Sequence, residues 1–288
     1  MQNNDIISLV KSTTVAIGLI KKGTIIPAVI AGTGFVVDKE GYVMTATHVF
    51  ERCKEYQKNY AAIKQETQFA MFRTLHKSDL SFDVGVFEKT IDIKFQENVE
   101  GLIGPNKIDI SIGKLLVNPG DLDVLPIIKS DKMSVSDKVI MCGYPRGKHS
   151  LDVKGEISGY RFSPLLQTGI ISGFMPYDNA PLPYGIQTDI VSMGGSSGSP
   201  IVNVDDGNVV GIAQAVIPTP IEVEIKDEKT NETKTVYGSA RMGLVYGTSN
   251  HVFHSMVNGV KRIRRGESPK FEADITGLKP PQITYLKL

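Results

Sequence analysis

Two short segments, far apart in the chain, constrain its fold more than any overall property. One is a glycine- and serine-rich turn, Gly194-Gly195-Ser196-Ser197-Gly198-Ser199-Pro200; the other is an apolar run that ends in a histidine, Val43-Met44-Thr45-Ala46-Thr47-His48-Val49. A serine hydroxyl is a weak nucleophile at neutral pH. It becomes useful only with a base within hydrogen-bond reach and a third group that orients the base. Glycines beside the serine leave room for a carbonyl to approach backbone N–H groups that can stabilise an oxyanion. If the two segments cooperate, the fold has to close a long stretch of chain between them.

The intervening sequence supplies short β-rich runs rather than long helical periods. Thr14–Ile20, Gly34–Val37, Tyr42–Thr45, Val84–Phe87, Lys138–Met141, Gly169–Ser172 and Val209–Ile212 fit strands. Turn chemistry such as Asp38-Lys39-Glu40-Gly41 and Asp205-Asp206-Gly207-Asn208 separates several of them. This pattern argues for β-barrels or a sandwich. Helical patterns are confined to Val49–Lys58, with Tyr56–Lys64 as an extension or a second short piece, and to Asn250–Ile263. In the latter Val252, Phe253, Met256, Val257, Val260 and Ile263 share one face. Residues 225–236 are charged and turn-rich and suit a protruding hairpin. The segment Gly266–Leu288, with Pro269, Pro280 and Pro281, reads as an extended tail.

Composition excludes several classes. Lys+Arg 32 against Asp+Glu 31 leaves a net charge of +1, so no overall field favours nucleic acid or an anionic membrane. The basic run Lys261, Arg262, Arg264, Arg265 reads as a solvated helix face. The apolar stretch Ile25–Ile30 contains Pro27 and is too short to span a bilayer. Asp5 and Lys11 interrupt the N-terminal apolar residues, so no secretory leader is read there. Cys53 and Cys142 make at most one pair, which is no disulfide framework. Two reduced thiols in a cytoplasmic protein are the simplest expectation. No His-Glu-x-x-His, Cys-x-x-Cys or phosphate-binding glycine loop is present, so neither metal nor cofactor is expected.

The segment Gly32–Val49 resembles the strand–turn–strand unit that delivers the catalytic histidine in HtrA-type trypsin-like proteases. Further similarities follow in the same order: Leu125-Pro126-Ile127 with Ser130–Asp137 resembles the family's inter-barrel linker, and Gly143-Tyr144-Pro145-Arg146-Gly147 its Gly-Asn-Pro-Phe-Gly turn. Gln187-Thr188-Asp189 resembles its Gln-Thr-Asp, and Gly243–Asn250 the strand before its terminal helix. The resemblance covers about residues 5–260. It implies an all-β, chymotrypsin-like double β-barrel with a C-terminal helix: a first barrel over 1–125, a second over 126–260 and an extended tail over 261–288. The tail is too short for the PDZ module that accompanies many members.

The resemblance also implies the chemistry. Ser197 is the expected nucleophile, with Ser196 and Ser199 as rivals by type, and Ser199 stands where the family has glycine. Gly195 and Ser197 N–H are the expected oxyanion hole, and His48 the base. Asp83, at the head of Phe82-Asp83-Val84-Gly85-Val86-Phe87, is the expected acid, with Asp123 as the rival, and this choice makes residues 91–120 an insertion. Val191 and Ser192, facing Ala213, Gln214, Ala215 and Val216, are the expected walls of the primary pocket. With no carboxylate among them, they favour a small or medium apolar P1 residue. Asp189 is expected to be structural rather than the pocket floor. The function expected is serine endopeptidase activity on polypeptides. The alternative is a silent or partner-activated peptide-binding or chaperone-like module, with a regulatory protein reaching the tail or the 91–120 segment.

Overall fold

The computed structural model describes residues 3–74, 82–94, 109–116, 121–128, 133–145, 149–153, 156–161, 163–175, 177–192, 194–216, 219–226, 233–240, 243–254, 257, 259 and 282–287. The chain opens with a helix the sequence reading did not anticipate, α1 (Asn3–Thr13). Its Ile6 and Val10, one turn apart, are both buried. The Thr13 and Thr14 hydroxyls turn back onto the carbonyls of Leu9 and Val10 as the helix gives way to a strand.

The first barrel is built from β1 (Thr14–Lys21), β2 (Pro27–Asp38), β3 (Tyr42–Thr45), β4 (Thr67–Thr74), β5 (Phe82–Lys94) and β6 (Ile110–Leu115). These pair in the order β5-β4-β1-β2-β3-β6, and a β5–β6 pairing closes the ring. Side chains alternate across each strand. Ile17, Val36, Val43, Met71, Phe87 and Leu115 form one core, into which α2 (Thr47–Ala62) inserts Val49, Phe50 and Cys53. The opposite faces of β2, β3 and β6 present Phe35, Met44, Ile110 and Ile112 to a second core.

The second barrel begins with β7 (Lys138–Gly143). A hairpin of β8 (His149–Val153) and β9 (Glu156–Arg161) follows, then β10 (Leu165–Met175), β11 (Gly185–Ser192), β12 (Pro200–Asn203) and β13 (Val209–Val216). A second hairpin, β14 (Thr219–Lys226) with β15 (Thr233–Ala240), stands apart before β16 (Gly243–Ser249). The barrel closes in the order β10-β11-β16-β13-β12-β7. Ile140, Cys142, Val202, Val209 and Ile212 meet the second core from this side, together with Ile6 and Val10 of α1 and Val252, Phe253 and Val257. That shared core cements the barrels together. Residues 250–254 are helical, at the expected C-terminal position. The expected double barrel is therefore the observed fold.

Two expectations need correction. Residues 91–120 are in good part barrel rather than insertion: 91–94 end β5, and 110–115 form β6, the strand that closes the ring. In addition, residues 282–287 of the tail form a strand, β17 (Gln282–Lys287), antiparallel to β5 with Ile283 opposite Ile93. The basic run 261–265 lies outside the described residues.

Candidate active site

His48 sits in the first turn of α2. Ala46 is the N-cap of that helix and offers no side-chain hydrogen bond. The first amides of a helix need an acceptor from elsewhere. Asp109, the residue just before β6, provides it: Oδ1 accepts the His48 backbone N–H at 2.9 Å, and Oδ2 meets the His48 ring Nδ1. An ionised carboxylate only accepts, so Nδ1 carries the imidazole proton and Nε2 is left with the lone pair. Burial pushes the Asp109 carboxyl up. The hydrogen bonds and charge of His48, with the Thr47 hydroxyl, outweigh this and hold it below its ordinary value. Thr47 is itself fixed by a 3.0 Å hydrogen bond from the Ser111 hydroxyl.

The structure therefore brings Asp109, not Asp83, to His48. Asp83 lies opposite Arg73 across β4 and β5, and its Oδ2 accepts from the Arg73 guanidinium at 2.6 Å. The rival Asp123 is exposed. The physical reason is barrel closure: the strand that Asp83 begins is the fifth of the ring, and the residue delivered to the histidine precedes the sixth. Strict alternation of Ile108, Ile110 and Ile112 around Asp109 was the available signal, in a segment mistaken for an insertion.

Ser197 lies in the turn between β11 and β12, half-buried, with its hydroxyl donating to the Gln214 carbonyl at 3.4 Å. Gly32 of β2 marks where the two segments meet. A Cβ there would lie 2.6 Å from Val49, the neighbour of His48, and 3.1 Å from the Ser197 carbonyl oxygen. Gly198 has φ 86°, and a Cβ on it would lie 2.0 Å from the Thr33 carbonyl oxygen, so this position admits only glycine. The hydroxyls of the rivals Ser196 and Ser199 are both buried without a hydrogen-bond partner among the described residues. Among the described residues, no acceptor takes the Gly195 or Ser197 amide N–H.

Gln214 ties the barrels at the site. Its carbonyl accepts from Ser197, and its buried side-chain amide donates to the Asp109 carbonyl at 3.1 Å. Its amide is thus turned toward the Asp109 backbone. Of the other expected walls, Ala213 is buried in β13 and Val191 is 47% exposed at the end of β11. The side chains of Ser192, Ala215 and Val216 lie outside the described residues. The Asp189 carboxylate accepts from the Ile170 amide at 2.7 Å, a contact within the barrel wall. Among the described residues no three His, Cys, Asp or Glu side chains gather as metal ligands.

Two closed antiparallel barrels, one offering an Asp-paired histidine and the other a serine in a glycine turn, define a trypsin-like serine protease arrangement. The chain belongs to the trypsin-like peptidase domain family, whose pattern matches residues 32–212. It is 29% identical over 185 residues to a probable periplasmic serine endoprotease DegP-like of Hahella chejuensis, covering 63% of this chain and 29% of that protein. It is 26% identical over 205 residues to serine protease HTRA1A of Danio rerio, covering 71% of this chain and 34% of that one. The chain thus spans about a third of the length of these curated relatives. Among solved structures, the HtrA-type protease AlgW with decapeptide shares the fold with a TM-score of 0.52 at 14% identity, over 93% of this chain and 69% of that one.

The names of the bacterial relatives correct one further expectation. Several are called periplasmic endoproteases, which overturns the cytoplasmic location inferred from the cysteines and the N-terminus. Cys53 and Cys142 are free and buried, in separate cores. Cysteines kept apart by packing carry no record of the redox compartment. Among the described residues no helix is long and apolar enough to cross a membrane.

Proposed function

We propose that this chain is a serine endopeptidase in which Ser197 is the nucleophile, His48 the general base and then acid, and Asp109 the orienting carboxylate. The pairing of His48 Nδ1 with Asp109 carries the proposal, because it leaves Nε2 basic and free for the serine proton. The Ser197 oxygen attacks the scissile carbonyl carbon while its proton passes to Nε2. The oxyanion rests on the Gly195 and Ser197 amides, each donor worth roughly 2.7–4 kcal/mol of transition-state stabilisation. Collapse breaks the C–N bond as His48 returns the proton to the leaving amine, and water then cleaves the acyl-enzyme by the same proton path.

The partner of the site is a polypeptide, laid as an added strand along the edge of the second barrel. Val191 and Ala213 favour a small or medium apolar P1 residue, with discrimination of about 1–3 kcal/mol per methylene. By kinship with the bacterial relatives, the substrates are taken to be periplasmic. Labelling with a serine-directed phosphonate, followed by peptide mapping, tests the assignment. Label on Ser197, abolished by Ser197→Ala and kept by Ser196→Ala, is the expected result; label that follows Ser196 would shift the turn by one residue and sink it.

A further inference from the structure

We propose that the Thr33 hydroxyl is the clamp that holds the Gly195–Ser197 turn in its resting form, the form that leaves the Gly195 and Ser197 amides open to an oxyanion. The inference rests on the reading of Ser197 as nucleophile and adds a positioning residue to it, drawn from the opposite barrel.

Thr33 lies in β2, fully buried, and takes part in four hydrogen bonds that converge on the site. Its backbone N–H donates to the Ser197 carbonyl at 2.9 Å. Its hydroxyl donates to the Gly195 carbonyl at 2.8 Å and accepts from the Tyr144 N–H at 2.9 Å. Its own carbonyl accepts from the Thr45 hydroxyl at 2.6 Å, three residues before His48.

The direction of the hydroxyl bond is fixed by proton counting. A threonine hydroxyl has one proton, and an amide N–H can only donate. Because Tyr144 N–H points at Oγ1, the hydroxyl proton goes to the Gly195 carbonyl. β-Branching on a strand leaves few χ1 wells, so this orientation costs little to hold.

The turn needs such support. Gly195 has φ 102°, a conformation that glycine enters and leaves freely. The buried Ser196 hydroxyl finds no partner among the described residues and gives no local brace. Thr33 instead binds two carbonyls of the turn, at Gly195 and Ser197, and the amide of Ser197 lies in the peptide between them. Holding the carbonyls on both sides of that peptide stops the turn from shifting as a unit and narrows the room in which the peptide can rotate. Removing the hydroxyl alone leaves the Gly195 carbonyl and the Tyr144 N–H without it, two polar groups that then seek other partners.

The experiment compares the full chain with Thr33→Val, which keeps the shape and removes the hydroxyl, and Thr33→Ser, which keeps the hydroxyl and removes the methyl. Two readouts are taken: steady-state cleavage of a peptide with an apolar P1 residue, and hydrogen exchange of peptides covering 194–199 and 47–53. Thr33→Val is expected to lower kcat about 10- to 100-fold, with KM changed by less than about twofold. Exchange over 194–199 should rise about tenfold while 47–53 stays as it was. Thr33→Ser should recover most of both. Unchanged kcat and exchange in Thr33→Val would overturn the clamp, as would a Thr33→Ser variant that falls equally far, since packing would then be the cause. A wild-type chain that cleaves nothing removes the Ser197 reading, and the exchange arm then decides the clamp by itself.

Discussion

Asp109 caps the helix that carries the histidine it faces: one carboxylate oxygen takes the His48 backbone N–H at 2.9 Å, and the other meets the His48 ring. One side chain just ahead of β6 thus places the imidazole twice, through the backbone of α2 and through the ring. The helix N-terminus in turn favours a negative charge at that spot. Among the described residues, this double role separates Asp109 from the other aspartates of the first barrel.

Asp109→Asn should therefore lower kcat by about 10⁴, because an amide can present a donor to Nδ1 and favour the wrong tautomer. Loss of the carboxylate cap should cost roughly 1 kcal/mol of stability as well. Asp83→Asn should leave kcat within about threefold, and its effect should appear in Tm, through the loss of a partly buried pair with Arg73. Kinetics and thermal melts of the two variants check this. The opposite pattern would return the acid to Asp83.

The lowered carboxyl of Asp109 fixes the sign of a pH effect. Its folded pKa lies below the unfolded value, so its contribution to stability is complete above the unfolded value. That contribution is lost as pH falls through the folded one. Between neutrality and about pH 5 it should not vary. Below about pH 4 the wild-type Tm should fall more steeply than that of Asp109→Asn. Parallel curves down to pH 2 would show that Asp109 is not held low.

Burial pushes both Cys53 and Cys142 up to about 12. Since the thiolate is the reactive form, alkylation of the native chain at pH 8 should be slow. Thiol counting in denaturant without reductant should find two. A count of zero would mean that both are oxidised, against the two free thiols of the structure.

How much of the site could be read from the sequence depended on whether its signals were local. His48 and Ser197 announce themselves within short windows: β2, the Asp38–Gly41 turn and β3 lead directly into α2, and the serine turn carries its own glycines. The acid has no such signature. Asp83-Val84-Gly85-Val86 and Asp109-Ile110-Ser111-Ile112 read alike because both head strands that line the same barrel, and β5 and β6 pair with each other. Only the count of strands needed for closure separates them, and that is a property of the whole ring. The helix α1 was missed because its apolar contribution is two buried residues, Ile6 and Val10, whose partners lie between the barrels. Gln214 sat in the right strand, but its link to Asp109 spans a long stretch of sequence and both barrels.

The C-terminal strand offers a last prediction. β5 is long: residues 82–86 pair with β4, while 89–93 pair with β6 on one edge and with β17 on the other. Ile93 is opposite Ile110 in β6 and Ile283 in β17, so β17 flanks the strand pair that delivers Asp109. Deleting residues 282–288 should expose an unpaired edge on β5, an invitation to association. It should lower Tm by roughly 5 °C, the scale of one or two kcal/mol in a chain of this size. Loosening the β5–β6 pair should misplace Asp109 and reduce kcat about tenfold or more, with KM less affected. A synthetic peptide of residues 279–288 added in trans should restore part of the activity by re-pairing with β5. Size-exclusion chromatography, thermal melts and peptide-cleavage kinetics of the truncated chain, with and without the peptide, give the measurement. A truncated chain that stays monomeric, melts as before and cleaves at the full rate would leave β17 no part in holding the acid.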